Sequence, residues 1–363
     1  MFLSMLRGKF LMIKQVNLEN FRGFNSIELS DLGKITIISG RNNSGKSSVL
    51  EGIFLALDYR APDSFAILNS VRGLPGLTSP AVLWEPLFFN LLKKNEISIN
   101  LKFEDRELKL KYSWDDAFAL SNDTSAVLNQ FISSAQPTYS LKFNFVYGDL
   151  SENGHFIMGA QGIFRNMERE QSPFTPLPVI QYFHSSRSNS NALIAELFGI
   201  AVRKNKKSQI IEILKIIDDS ISDMAAVVSL DQSQLYANVR GQWLPLRLAG
   251  DGFDRLLLII AALIAYPDSI LMIDEIDAGF HYSVYDKFWE AVMAVTKEQN
   301  CQLIATTHSY ECLDSAVNTV KRGGMQDDFC YFRLGKNKNG ESIAYRYSAD
   351  LLSSATDDNL EVR

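Results

Sequence analysis

The chain has 363 residues, 46% of them hydrophobic and 21% charged, with a formal net charge of −6. That is a globular composition, large enough for one domain with insertions or for two, and it supplies no overall attraction to polyanions, so any nucleic-acid surface has to be a local patch. The longest apolar run, Leu256 to Tyr266, is too short to cross a bilayer. The opening "MFLSMLRGKFLM", interrupted by Arg7 and Lys9, is a poor signal peptide, and the three cysteines (Cys301, Cys312, Cys330) show neither metal spacing nor a disulfide framework. No membrane role and a cytoplasmic location are expected.

From Met12 the chain predicts three short strands, "IKQVNLENF", "NSIELS" and "KITIIS", then a helix to about Leu57. Between the third strand and that helix, Gly40 to Ser47 matches G-x-x-x-x-G-K-[ST]. Glycines there let successive backbone N–H groups turn toward phosphate oxygens, and the helix N-terminus adds partial positive charge. Lys46 is placed to reach β- and γ-phosphates, and Ser47 to ligate Mg²⁺. Residues 61 to 83, rich in Gly, Pro and Ser, predict a loop or linker.

The period then changes to two. Ile97, Ile99, Leu101 and Phe103, then Leu108, Leu110 and Tyr112, and later Tyr139, Leu141, Phe143 and Phe145 alternate with polar residues. This predicts an antiparallel meander with one wet face. Residues 160 to 178 predict another loop. Residues 191 to 224 follow a helical period broken by the basic turn Arg203–Lys207, too short for a long coiled coil.

Beyond residue 250, helix and strand alternate. "RLAGDGFDRLLLIIAALI" starts a helix at Gly250-Asp251-Gly252 with an apolar stripe of Phe253, Leu256, Leu257 and Ile260. "SILMIDEIDAGFH" predicts a buried strand ending in Asp274-Glu275, and ligands of α/β sheets bind at such ends. Asp274 would hold Mg²⁺ through water and Glu275 would polarise an attacking water. Tyr285, Phe288, Val292 and Val295 give the crossover helix its stripe. The next strand, "CQLIATTHS", ends at His308, aimed at the γ-phosphate if it neighbours the acidic strand. A hairpin through "GKNKNGE" and a disordered tail follow.

The order of P-loop, insertion, Gly-rich helix start, Asp-Glu and His resembles the ABC-type ATPases. "NLENFRGF" ahead of "ISGRNNSGKSSVLEGI" is similar to the opening of the RecF, SMC and OLD (overcoming lysogenisation defect) ATPases, and "IDEIDAGFH" to the acidic strand and D-loop of the OLD-like branch. The resemblance covers roughly residues 12–60 and 240–335. It implies an α/β fold: an ABC-type P-loop ATPase head with an antiparallel β insertion and a short helical arm. By residue number, 1–60 and 241–350 would form the two parts of the head, 61–178 the β-rich insertion, 179–240 the helical arm and 351–363 a flexible tail.

It further implies ATP and Mg²⁺ as ligands. Arg22, Gly40, Asn42, Asn43, Ser44, Gly45, Lys46, Ser47 and Ser48 would line the nucleotide, Gly250 to Gly252 would be the signature motif, and Asp277 to His281 the D-loop. Asp274 and Glu275 would be the Walker B pair and His308 the switch histidine. The sequence departs from the ABC pattern at Ala249, which stands where the signature serine is found. Gln181 in "LPVIQYFHSSR" is a candidate Mg²⁺ ligand, with Arg187 an equally good polar contact.

About 55 residues follow His308, too few for the Toprim nuclease domain of OLD proteins, and the four histidines (His155, His184, His281, His308) form no nuclease cluster. The resemblance therefore points to a slow ATP hydrolase that dimerises around ATP and switches a separately encoded effector such as a nuclease, as in bacterial anti-phage systems. Two alternatives remain open. One is a RecF-like repair ATPase binding DNA directly, for which Arg203–Lys207 and Lys336–Lys338 are the basic clusters. The other is the ATPase subunit of a membrane transporter, against which the long insertion and the "NFRGF" opening argue.

Overall fold

A computed structural model describes residues 10–74, 79–116, 139–159, 162–167, 176–184, 191–215, 218–229, 232–246 and 251–348. The chain begins with β1 (Gln15–Phe21) and β2 (Phe24–Ser30), an antiparallel hairpin with Phe21 opposite Phe24. Next come β3 (Ile35–Gly40), buried along its whole length, and α1 (Lys46–Leu57). Two compact units result: Met1–Asp31, Asn42–Leu177 and Leu334–Tyr345 form the first, and Leu32–Arg41, Pro178–Arg333 and Arg346–Arg363 the second.

In the first unit, α2 (Asp63–Val71) and α3 (Pro80–Trp84) occupy much of the stretch expected to be loop. The punctuating residues that suggest a loop are here the helix ends. Pro62 is the N-cap of α2, Pro80 sits in the first turn of α3 behind the Ser79 cap, and Gly73 takes a positive φ just past α2. Residues 75–78 of that stretch lie outside the described residues.

The unit's sheet is an antiparallel meander in the order β2-β1-β4-β5-β6-β7-β8. Its later strands are β4 (Ile97–Lys102), β5 (Glu107–Asp115), β6 (Ser140–Tyr147), β7 (Leu150–Gly159) and β8 (Gly162–Met167). The expected alternation is present except at one end: Ile97, Ile99, Leu101, Phe103, Leu108, Leu110, Tyr112, Leu141, Phe143 and Phe145 are all buried, whereas Tyr139, just ahead of β6, is exposed. The α1 helix lies close over β1, where a Cβ on Gly52 would stand 2.7 Å from a Leu18 methyl. The β8 strand replaces part of the loop expected over 160–178, while 168–175 lies outside the described residues.

The second unit is built on a parallel sheet. Strands β3, β14 (Gln302–Thr306), β13 (Ser269–Ile273) and β9 (Val179–Phe183) lie side by side, all parallel, in the sheet order β16-β15-β3-β14-β13-β9, where β15 is Phe329–Lys336 and β16 is Ser342–Tyr347. Of these last two strands, the residues from Leu334 to Tyr345 belong to the first unit. The helices α4 (Asn191–Arg203), α5 (Lys207–Lys215), α6 (Asp251–Ala265), α7 (Tyr285–Glu298) and α8 (Tyr310–Gly323) complete it. The predicted stripes of Phe253, Leu256, Leu257 and Ile260, and of Tyr285, Phe288, Val292 and Val295, are buried. No helix among the described residues is long and apolar enough to cross a membrane.

The segment expected as a helical arm differs in content. Its first residues are β9, and the helical pattern stops at Lys215 rather than Met224. A small antiparallel sheet then follows, β10 (Ile221–Ser229), β11 (Gln232–Val239) and β12 (Gln242–Pro245). A register shift between Ile221 and Asp223 spaces the buried Ile221 and Met224 three apart, which mimics a helix and hides the strand period. Arg240 and Gly241, both at positive φ, turn β11 into β12.

Candidate active site

In the first unit, the loop ahead of α1 carries the predicted phosphate-binding residues. Asn43 and Gly45 have φ of 61° and 96°. A side chain at Gly45 would run into the Phe24 ring, so glycine is required twice over. The α1 N-terminus has no side-chain cap and no acidic residue in its first turn, and Ser44 Oγ is buried without a hydrogen-bond partner. A helix start with no side-chain cap and no acidic residue suits an anion, so these residues fit a nucleotide's phosphates. Lys46 and Ser48 are buried, Ser47 half-buried, and Asn42 exposed.

One turn into α1, Glu51 is buried and gathers two arginines. Arg22 Nε lies 2.9 Å from Glu51 Oε2 and Arg72 Nε 2.7 Å from Oε1. Arg72 Nη2 also donates to Ser48 Oγ at 3.3 Å, and Arg22 Nη1 to the Pro86 carbonyl at 3.0 Å. Arg22 thus ties α1, through Glu51, to the 86–87 backbone. Glu51 and Arg72 were not legible as site residues, because their meeting depends on α2, which the sequence disguises.

In the second unit, the carboxyl ends of the parallel strands gather the other motif residues. Gly40 ends β3 at a φ of 146°. Asp274 and Glu275 follow β13, Thr306 ends β14 with Thr307 next to it, and His308 stands exposed just beyond. Glu275 has a φ of 52°, a conformation that a non-glycine residue holds only when its surroundings impose it. Those surroundings are specific: Glu275 N–H donates to Thr306 Oγ1 at 2.8 Å, and that hydroxyl donates to Asp274 Oδ1 at 2.6 Å. Arg255 Nη2 on α6 donates to the carbonyls of Asp274 at 2.7 Å and Glu275 at 3.1 Å. Burial holds Arg255 down to about 10, against the attraction of Asp274, Glu275 and Asp277, so it remains a cation at neutral pH.

Gln181 is not beside Asp274. It sits in mid-strand and its amide donates to the Ala262 carbonyl of α6 at 3.3 Å, which corrects its expected place as a metal ligand. The residue that β9 brings to Asp274 is His184, whose Nε2 is 3.1 Å from Oδ2.

Gly252, in the first turn of α6, packs against the loop after Glu275: a Cβ there would stand 2.7 Å from the Gly279 carbonyl. In the same loop Asp277 Oδ1 is buried without a hydrogen-bond partner, and His281 and Tyr282 are exposed with ring centroids 4.2 Å apart. Asp251 begins α6; Arg187, Ala249 and Gly250 lie outside the described residues.

The chain is 24% identical to a Helicobacter pylori "ATP/GTP phosphatase" over 93% of its own length and 98% of that protein's. Over 45 residues, 12% of this chain and 13% of the relative, it is 49% identical to the DNA replication and repair protein RecF of Idiomarina loihiensis. Among solved structures, an SMC head bound to the C-winged helix domain of ScpA superposes with a TM-score of 0.50 and 15% identity, covering 93% of this chain and 98% of that one. The fold is that of the SMC-head, ABC-type ATPases. A family model described as "AAA domain, putative AbiEii toxin, Type IV TA system" matches residues 35–314. With a phosphate-binding loop at the start of that span and a braced acidic pair near its end, the chain belongs to this family of AAA-type P-loop ATPases.

Proposed function

We propose that the protein is an ATP-dependent switch that dimerises around ATP and controls a separately encoded effector in bacterial anti-phage defence. The observation that carries this is the braced pair Asp274-Glu275, whose backbone is fixed by Thr306 and Arg255 with Glu275 at a positive φ. The family's description, with its link to toxin–antitoxin systems, supports the defence setting.

Lys46 and Ser47 are assigned to the phosphates and the cation, Asp274 to the cation, and Glu275 to the attacking water. His308 is assigned to the γ-phosphate. Mg²⁺, when bound, would neutralise the charge that builds on the phosphates. Thr306 keeps Asp274 and Glu275 in fixed orientation, and Arg255 holds their carbonyls. A chain with one P-loop and one Gly-rich helix start needs a second copy if ATP is clasped between those two motifs. The partly exposed start of α6, backed by Gly279, is the surface assigned to the partner's nucleotide.

The stretch similar to RecF supports a second reading, direct DNA binding. The basic turn gives it little support. Lys204 Nζ donates to the Ala265 carbonyl at 2.5 Å, Lys206 lies 3.5 Å from Glu298, and Lys207 lies 2.8 Å from Asp223. Affinity purification from the native host separates the two. Recovery of a defined effector protein whose activity depends on ATP supports the switch. Salt-sensitive DNA binding, lost on charge reversal of Lys204, Lys206 and Lys207 and with no protein partner, would overturn it.

A further inference from the structure

β9 pairs in parallel with β13 so that Phe183 stands beside Ile273, and the Asp274 N–H donates to the Phe183 carbonyl at 2.8 Å. That register makes His184 and Asp274 neighbours at the carboxyl edge of the sheet, with Nε2 and Oδ2 3.1 Å apart. This is a hydrogen-bond length. The same separation would also let both atoms bind one ion, since donors about 2.0–2.2 Å from a metal and at right angles to each other lie roughly 2.8–3.1 Å apart.

One observation favours shared ligation. Asp274 is already oriented through its other oxygen by Thr306 at 2.6 Å, so the imidazole is not needed to aim the carboxylate. The pair offers only two such donors, since among the described residues no group of three or more His, Cys, Asp or Glu side chains is placed to hold an ion. An ion here would take its remaining ligands from hydroxyl, phosphate and water oxygens, as a cation arriving with a nucleotide does.

We propose that His184 Nε2 and Asp274 Oδ2 are direct ligands of the nucleotide's divalent cation, and that the nitrogen donor makes the site favour a transition ion such as Mn²⁺ over Mg²⁺. Magnesium is a hard ion held by oxygen, whereas imidazole suits the transition metals. The assignment rests on the proposed role of Asp274, and it replaces a water-mediated contact with a direct one.

The test is pulsed electron paramagnetic resonance of Mn²⁺ with a non-hydrolysable ATP analogue on the full chain, grown with natural-abundance or ¹⁵N-labelled histidine. The expected result is a histidine-nitrogen coupling that changes with the label, is lost in His184→Gln, and survives in His308→Gln. The Mg²⁺ concentration that displaces half of the bound Mn²⁺ should fall on the order of tenfold in His184→Gln. Should that variant fail to fold, the labelled wild-type chain still decides whether a histidine binds the ion. Nucleotide-dependent Mn²⁺ binding without histidine coupling, or with coupling lost in His308→Gln instead, overturns the ligand assignment and leaves the role of Asp274 standing. Absence of any nucleotide-dependent Mn²⁺ binding removes both.

Discussion

At the scale of single residues, the chain's chemistry divides between groups that would touch ATP and groups that hold them. Lys46→Ala should abolish ATP binding, read by fluorescence titration, because a phosphate site at a helix start loses its flexible cation; unchanged affinity would remove the P-loop assignment. Glu275→Gln should keep binding and slow hydrolysis by about 10²–10⁴, as loss of a general base does. Thr306→Val removes a hydroxyl that serves Glu275 N–H and Asp274 Oδ1 at once. Leaving a buried donor without a partner costs about 1–3 kcal/mol, so kcat should fall about ten- to hundredfold with KM little changed. A rise in KM alone would contradict the bracing role. The motif residues themselves were legible, because Lys46, Asp274 and His308 follow apolar strands at fixed spacing. Thr306, Arg255 and His184 were not, because what brings them to the acidic pair is the register of β9, β13 and β14 and the packing of α6.

At the scale of elements, the meander and the α/β alternation could be read from period alone, since each strand or helix buries one face. The failures have local causes. Prolines and a glycine at the helix ends made α2 and α3 read as linker, and the bulge near Ile221 gave β10 a helical spacing. Two element junctions are open to test. Gly252→Ala would place a methyl 2.7 Å from the Gly279 carbonyl and 3.1 Å from the Phe280 ring. Overpacking of this kind costs about 1–3 kcal/mol, so the urea midpoint should drop; an unchanged midpoint would mean that the α6 start and its loop are not held together as described. Glu51→Ala strips the buried Arg22 of its carboxylate. Breaking a buried ion pair from one side costs about 3–5 kcal/mol, and chemical denaturation should show a loss of that order, well beyond that of Arg72→Ala at the more exposed partner.

At the scale of the whole molecule, the sequence specifies a P-loop ATPase with an SMC-head fold, and its motif count leads to the proposed assembly. Binding shared by two copies stabilises the dimer by mass action, so ATP should act as a concentration-dependent glue. Gly250→Glu should leave binding at the P-loop intact and block closure by charge and bulk. The most direct measurement is multi-angle light scattering of Glu275→Gln with and without ATP, paired with the wild-type hydrolysis rate per chain across protein concentration. The account predicts a doubling of mass with ATP and a rate per chain that rises with concentration. A chain that stays monomeric with ATP bound and hydrolyses it at a rate independent of concentration would contradict it.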